Sequence, residues 1–422
     1  MFKMLPAIAI TTALIGTALT QYSSAADRTP LAVNTFSNSI FQSFLAHGDG
    51  TTPEASLISD SSGSLYGTTY YGGASGYGSV FKLTQIANGY QETILYSFLR
   101  HPDGANPAAS LIADKSGALY GTAQYGGTSD CGTIFKLTPS GNSYTESVVY
   151  GFQCSNDGSN PVSSLIADSA GVFYGVASYG PFGDGVVYKL TPHGTGFSYN
   201  VIYTFQGESD ERSPLAALII DASGALYSTA AGDQFVHGTA YKLTPQGGTY
   251  TESVLHRFTN ADGATPLAPL IADSAGDLFG TTLRGGSYKL GTVFKLTPAG
   301  FGTYAETVLH SFTGGADGAR PHDGLIEDTT GALYGTALTD GSSNAGTVFK
   351  LTPHGSGYDF SVIHSFAGGA DGANPIASLM GAGAGVLYGT TTSGGSYRHG
   401  TVFRLTPRGN GYRNKILHYF HR

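Results

Sequence analysis

Thr93-Ile-Leu-Tyr-Ser-Phe98 reads as a short strand of alternating character closed by a phenylalanine, and the same pattern returns as Ser147-Val-Val-Tyr-Gly-Phe152. The closing phenylalanine recurs at Phe44, Phe98, Phe152, Phe205, Phe258, Phe312, Phe366 and Phe420, in steps of 54, 54, 53, 53, 54, 54 and 54 residues. A period this constant excludes insertions even from loops, as expected when every copy must sit at the same angle in a closed ring.

Each unit contains an apolar strand (Ser56-Leu-Ile58), a turn (Asp60-Ser-Ser-Gly63), a strand (Leu65-Tyr-Gly-Thr-Thr69), a Gly-rich loop, a strand (Val80-Phe-Lys-Leu83), a second turn, and the strand that ends at phenylalanine. Four strands in about 54 residues is the blade of a β-propeller. The fold class is therefore all-β, a seven-bladed propeller of four-stranded blades over residues 39–422; a solenoid would need atypical capping units, and the terminal units resemble the rest. In the Asp-x-x-Gly turns the aspartate caps the corner and the glycine takes positive φ; the seventh copy has Ala382 and Gly385 and loses the cap. The fourth strand has one copy too many, Ser39 to Phe44, so a blade shared between the two ends of the chain is expected to close the ring.

The composition agrees: 62 Gly, 27 Tyr, 23 Phe, no Trp and 12% charged residues favour turns and strands over helix surface. A net charge of -8 without a basic run gives no footprint for nucleic acid. Residues 1–26 carry Lys3, an apolar run from Leu5 to Leu19 and the small residues Ser24-Ala25-Ala26, the pattern of a cleaved signal peptide; residues 27–38 read as a linker. An uncleaved anchor is the alternative, but the run is shorter than a bilayer span. The expected location is secreted, periplasmic or extracellular, with no membrane span after cleavage and a monomeric state. Cys131 precedes one strand of the second unit and Cys154 follows the next, so antiparallel pairing brings them together. A disulfide there would contribute about 3 kcal/mol in the chain-entropy model.

The motifs Leu119-Tyr-Gly-Thr122, Gly291-Thr-Val-Phe-Lys-Leu-Thr-Pro298 and Asp371-Gly-Ala-Asn-Pro375 give the chain a resemblance to the GloVer tandem-repeat proteins, over residues 39 to 420. These are exported bacterial proteins grouped as "choice-of-anchor" because relatives carry different C-terminal sorting signals. The resemblance implies export and a propeller-like repeat, and it brings no catalytic residues. The terminal Tyr419-Phe-His-Arg422 lacks an apolar tail or sorting motif, which favours a soluble exported form.

His256, His310, His364 and His418 occupy one strand position in four successive units, where earlier units have Tyr96, Tyr150 and Tyr203. A whole blade separates them, so they cannot share one metal, and strand packing is the expected role. Lys82, Lys136, Lys189, Lys242, Lys295 and Lys350, with Arg404, are expected to partner a recurring carboxylate or carbonyl. Asp49, Asp103, Asp157, Asp210, Asp262, Asp317 and Asp371 mark the linkers between units, mostly as Asp-Gly before a proline, and read as turn residues; no calcium-loop pattern surrounds them. No metal or cofactor is expected.

Copies diverge in the loops between the second and third strands. These loops should share a face with the linkers and supply the candidate ligand-binding residues Tyr70, Tyr71, Tyr77, Tyr125, Tyr179, Asp233, Phe235, His237, Arg284, Tyr288, Asp340, Tyr397 and Arg398. Aromatic faces beside polar groups suit sugars or peptide side chains. The opposing reading is that these loops vary because nothing constrains them. No nucleophile elbow, His pair or phosphate loop is present, and no catalytic residue is assigned. The reading is an exported, non-catalytic propeller that binds a glycan or a cell-envelope or protein partner. The alternatives are a carbohydrate-active enzyme on the same scaffold and a purely structural repeat.

Overall fold

The computed structural model describes residues 4–5, 48–87, 89–141, 143–207, 213–232, 237–409 and 411–421. Seven antiparallel sheets follow one another in chain order. The first blade consists of Ile58–Ser59, Leu65–Thr69, Ser79–Ile86 and Gly89–Ser97, from the axis outward, and the seventh of Met380–Gly381, Leu387–Thr391, Thr401–Arg408 and Gly411–Tyr419. The blades between them span 112–151, 166–204, 219–257, 271–311 and 326–365. Outermost strands of adjacent blades touch in a cycle that includes Gly411–Tyr419 against Gly89–Ser97, so the ring is closed. Met4–Leu5 adds a short antiparallel pairing to Ile219–Asp221 of the fourth blade.

The second strand of each blade is buried at all five positions because neighbouring blades cover both of its faces. Its central glycine is required by close packing: a Cβ on Gly67 would stand 2.6 Å from Phe81 Cζ and 2.9 Å from Leu57 Cδ2. The fourth blade carries Ser228 there, with Tyr241 opposite and the serine hydroxyl bonded to the Ala216 and Ala217 carbonyls. Around the axis, the backbone N–H of Ser56 donates to Ser110 Oγ at 3.0 Å and that of Ser110 to Ser164 Oγ at 2.9 Å, stitching inner edges one repeat apart.

The recurring phenylalanine is the contact that joins blades. Each meets, edge to face, the aromatic residue in the third strand of the next blade: Phe98 with Phe135, Phe152 with Tyr188, Phe205 with Tyr241, Phe258 with Phe294, Phe312 with Phe349, and Phe366 with Phe403. Phe420 completes the circle against Phe81 at 5.2 Å. A ring of edge-to-face pairs at equal spacing explains why the period tolerates no insertion.

Closure differs from the shared blade expected above. All four strands of the seventh blade come from the C-terminal side, and Ser39 to Phe44 lie outside the described residues. The seam is instead covered by the linker before the first blade. Thr52 N–H donates to the His399 carbonyl, Thr390 Oγ1 to the Ala55 carbonyl, and Leu57, Leu65, Phe81 and Leu83 pack with Tyr388, Val402 and Phe420. The same contacts recur at other seams, for example Asn106 N–H to the Tyr77 carbonyl, so among the described residues the ring is closed by side-on packing.

The Asp-x-x-Gly turns behave as expected and do more. Asp60 Oδ1 accepts the N–H groups of Ser62 and Ser64, while Oδ2 accepts the Tyr66 hydroxyl at 2.9 Å. Tyr120, Tyr174, Tyr227 and Tyr334 repeat that bond to Asp114, Asp168, Asp221 and Asp328. The recurring lysine lies over the tyrosine face, Lys82, Lys136, Lys242 and Lys350 being 5.1 to 5.3 Å from the ring centroids, and Lys82 also stands 3.8 Å from Asp60 Oδ2, the carboxylate partner expected. In the fifth blade Phe279 has no hydroxyl, and Lys295, 5.9 Å from its ring centroid, pairs with Asp277 at 2.6 Å. Cys131 and Cys154 form the expected disulfide, with Cα atoms 5.5 Å apart across the hairpin that pairs Thr133 with Gly151.

Candidate functional site

In six of the seven blades the linker forms a β-bridge with the variable loop of its own blade among the described residues: Thr51 with Tyr71, Ala105 with Tyr125, Ser159 with Tyr179, Ala264 with Arg284, Ala319 with Thr339 and Ala373 with Ser393. One face of the ring thus carries both sets of segments, as the repeat order implied. Tyr71, Tyr125, Tyr179, Tyr288 and Tyr397 project there with between 41% and 60% of their surface open, large values for aromatic side chains.

The candidates form one compact group and several isolated positions. Tyr70 packs edge-on against Tyr71 at 4.6 Å and donates its hydroxyl to Gln124 Oε1 at 2.8 Å; Gln124 Nε2 donates to the Tyr125 hydroxyl at 3.2 Å. Burial first, then the charges of Tyr125, Tyr71 and Glu54, hold the Tyr70 phenol well above its usual range. Burial also pushes the Glu54 carboxyl up to about 7. Tyr77 sits half-buried in the same blade, with the Arg100 guanidinium 5.8 Å from its ring centroid; Arg100 is fixed in turn by Asp130 at 2.7 Å.

The rest are dispersed around the rim. Tyr179 belongs to the third blade, Arg284 and Tyr288 to the fifth, Asp340 to the sixth, and Tyr397 and Arg398 to the seventh. Asp340 and Arg398 adopt positive φ (61 and 67), so turn geometry shapes both positions. His237 is half-buried and its carbonyl accepts the Thr265 N–H. Asp233 and Phe235 lie outside the described residues.

Glu54 and Phe182 were missed by sequence reasoning, though both left a signal. Glu54 follows the linker proline, where other units have Ala108, Val162, Leu215, Leu267, His322 and Ile376, so a carboxylate there breaks a mostly apolar column. Phe182 lies in a loop singled out as variable and is 64% exposed.

A second recurring feature lies in the seams. In five seams the residue two before the phenylalanine reaches the linker aspartate: Tyr96 donates to Asp103, Tyr150 to Asp157, and His256, His310 and His364 pair with Asp262, Asp317 and Asp371 at 3.1 to 3.2 Å. These aspartates also accept backbone N–H groups just beyond the strand, such as Leu99 and Gln153. They turn back into the seams and do not form an open carboxylate ring, and the histidines have defined acidic partners beyond simple strand packing. The outer strand of the next blade adds a third group, which varies: Glu146, Glu306, Tyr199 stacked on Tyr150, Phe360 stacked on His310, or Asn414 donating to Asp371.

Burial, then the nearby Asp103 charge, raises Glu146 to about 7. A carboxyl raised in the folded state contributes stability that is complete below its unfolded value of about 4.3 and lost as pH rises through about 7. Glu146→Gln is therefore expected to stabilise the protein by about 1 kcal/mol at pH 8, after allowing for solvent screening of a half-buried group, and to be neutral at pH 4. Urea denaturation at both pH values measures this; an equal effect at both would mean that the carboxyl does not titrate there.

The repeat profile of the Gloeobacter/Verrucomicrobia repeat matches residues 30–235 and 214–422. The chain belongs to this family. No curated protein matches it. Among solved structures, this Gloeobacter/Verrucomicrobia repeat protein resembles a Bacteroides uniformis protein provisionally assigned as a 6-phosphogluconolactonase, at 11% identity and TM-score 0.55, over 84% of this chain and 94% of that one. A Lactobacillus plantarum protein is similar at 16% identity and TM-score 0.54, covering 82% and 92%. A puromycin-hydrolyzing peptidase of Mycobacterium tuberculosis matches at 11% identity and TM-score 0.54; 87% of this chain covers 53% of the peptidase, about half its length. Likeness at this identity is a likeness of fold.

Proposed function

We propose that this chain is an exported, non-catalytic propeller that binds a glycan of the cell envelope or surroundings through its loop face. The observation that carries the reading is the set of exposed aromatic side chains, Tyr71, Tyr125, Tyr179, Phe182, Tyr288 and Tyr397, on the rim where linkers and variable loops meet. Sugar rings present apolar faces and a border of hydroxyls. Exposed tyrosines flanked by an amide and a carboxyl, as at Tyr70, Tyr71, Gln124, Tyr125 and Glu54, match both features. The disulfide supports export, because such bonds persist in oxidising compartments, and the apolar leader reading agrees with it.

A glycan and cell-wall array probed with the full chain tests this, repeated with Tyr71, Tyr125, Tyr288 and Tyr397 changed together to alanine. Tyr70 is kept because its hydroxyl bond is structural. The expected result is binding that weakens at least about tenfold in the variant, about 1.4 kcal/mol, with an unchanged thermal midpoint. Binding that survives the four changes would move recognition off this face; capture of protein but no glycan would replace the ligand class.

One observation favours a second reading. Glu54, raised to about 7 beside the tyrosine cluster, has the protonation range of a general acid, as a carbohydrate-active enzyme requires. Release of reducing sugar from an array ligand, abolished by Glu54→Gln, would establish it.

A further inference from the structure

Six of the seven seams are crossed by a linker that joins consecutive blades; the seam between the seventh and first blades has no such peptide connection. Its polar cluster is also built differently. Where His256, His310 and His364 hydrogen-bond a linker aspartate, His418 Nε2 stands 3.4 Å from Glu92 Oε2 and 3.9 Å from Asp49 Oδ2. A second imidazole joins it, with His421 Nδ1 directly against Asp49 Oδ2.

Asp49 Oδ2, Glu92 Oε1 and His418 Nε2 are all buried, the two carboxyl groups face each other, and His418 Nε2 makes no hydrogen bond. Buried polar atoms left without partners are costly, and two buried carboxylates facing each other are more so. A divalent cation removes both penalties at once, because every one of these atoms offers it a lone pair.

We propose that Asp49, Glu92 and His418, whose ligand atoms all lie within 4.8 Å of one another, form a binding site for a divalent transition-metal ion of the zinc type, clasping the ring at its seam, with His421 holding Asp49 in place. One imidazole nitrogen and two carboxylate oxygens are a set suited to zinc with its fourth position left open. Ligands at about 2.0–2.1 Å in a tetrahedron lie roughly 3.4 Å from one another, and the 3.4 and 3.9 Å separations approach that without rearrangement of the backbone. The ion would join three segments distant in sequence: the linker before the first blade, the outer strand of that blade, and the end of the last blade. This departs from the expectation of no metal, which took the recurring histidines and the linker aspartates each as a set and did not bring the two together at one seam. His256, Asp262 and Glu306 form the nearest comparison, but there the His–Asp hydrogen bond is made at 3.1 Å.

The test uses the full chain without a polyhistidine tag, stripped with a chelator and titrated with zinc by calorimetry, with bound metal counted by mass spectrometry. About one equivalent should bind and raise the thermal midpoint by about 4 °C at saturation. Glu92→Gln and His418→Gln each remove one ligand of the seam cluster. Each should weaken binding about 10- to 100-fold, while His256→Gln should leave it unchanged. Cobalt gives a second readout, visible absorption of the bound ion that disappears in Glu92→Gln. Failure of the stripped protein to take up zinc, uptake unaffected by both seam variants, or uptake lost in His256→Gln would each overturn the proposal.

Discussion

Phe312→Ala is expected to lower the unfolding free energy by about 4 kcal/mol, within the range for truncating a fully buried aromatic. Phe312 is completely buried and contacts Phe349 and Phe360 of the next blade at 5.3 and 5.8 Å, in a cluster with Phe279, Val293, Leu325 and Leu333. The cavity would open between two sheets already fixed by their own hydrogen bonds, so little collapse can fill it. Urea denaturation followed by tyrosine fluorescence gives the number, with Phe301→Ala as the control. That side chain is fully exposed, and its removal should cost less than about 0.5 kcal/mol. A loss at Phe312 no larger than at Phe301 would show that blades cohere by something other than these ring contacts.

Asp221→Ala should cost about 3 kcal/mol. Asp221 is 3% exposed; Oδ1 accepts the N–H groups of Ser223 and Ala225 and the Ser223 hydroxyl, and Oδ2 accepts the Tyr227 hydroxyl at 3.0 Å. Removing it strands the Ala225 N–H and the Tyr227 hydroxyl inside the protein, and unsatisfied buried donors carry most of the cost. The seventh blade shows what the missing cap entails. With Ala382 in the turn, the Val386 N–H turns to the Gly383 carbonyl, Ala384 takes φ 49, and the Tyr388 hydroxyl lies 3.4 Å from that of Tyr90. Asp221→Ala combined with Tyr227→Phe removes both partners of one bond and should recover part of the loss. A double variant less stable than the sum of the two single changes would argue against the orphaned hydroxyl as the cause.

The fold was legible because its signal is repetition. Phe98 and its copies, the Leu-Tyr-Gly-Thr strand and the aspartate turns are each set by local geometry that recurs seven times, so every copy confirms the others. The disulfide was legible for the same reason, since hairpin register follows from strand order. The carboxylate partner expected for the recurring lysine is there, with Lys82 Nζ 3.8 Å from Asp60 Oδ2 and Lys295 on Asp277, whereas the tyrosine ring beneath Lys82, itself bonded to Asp60, is a contact across strands that no spacing encodes.

The binding face was legible as loops but not as a grouping. Tyr70, Tyr71 and Tyr125 come together because adjacent blades bring one loop beside the next, whereas Tyr179, Tyr288 and Tyr397 occupy other blades. The seam clusters were out of reach. Asp49 meets His418 and His421 only because a ring returns its last blade to its first. The sequence by itself determined the repeating unit, its strands and turns, and the number of blades, all consequences of local patterning and a fixed period. Only the tertiary structure decided which blade the C-terminal strand completes and which polar groups share a seam, because those contacts depend on closure across almost the whole chain, and sequence separation carries no trace of it.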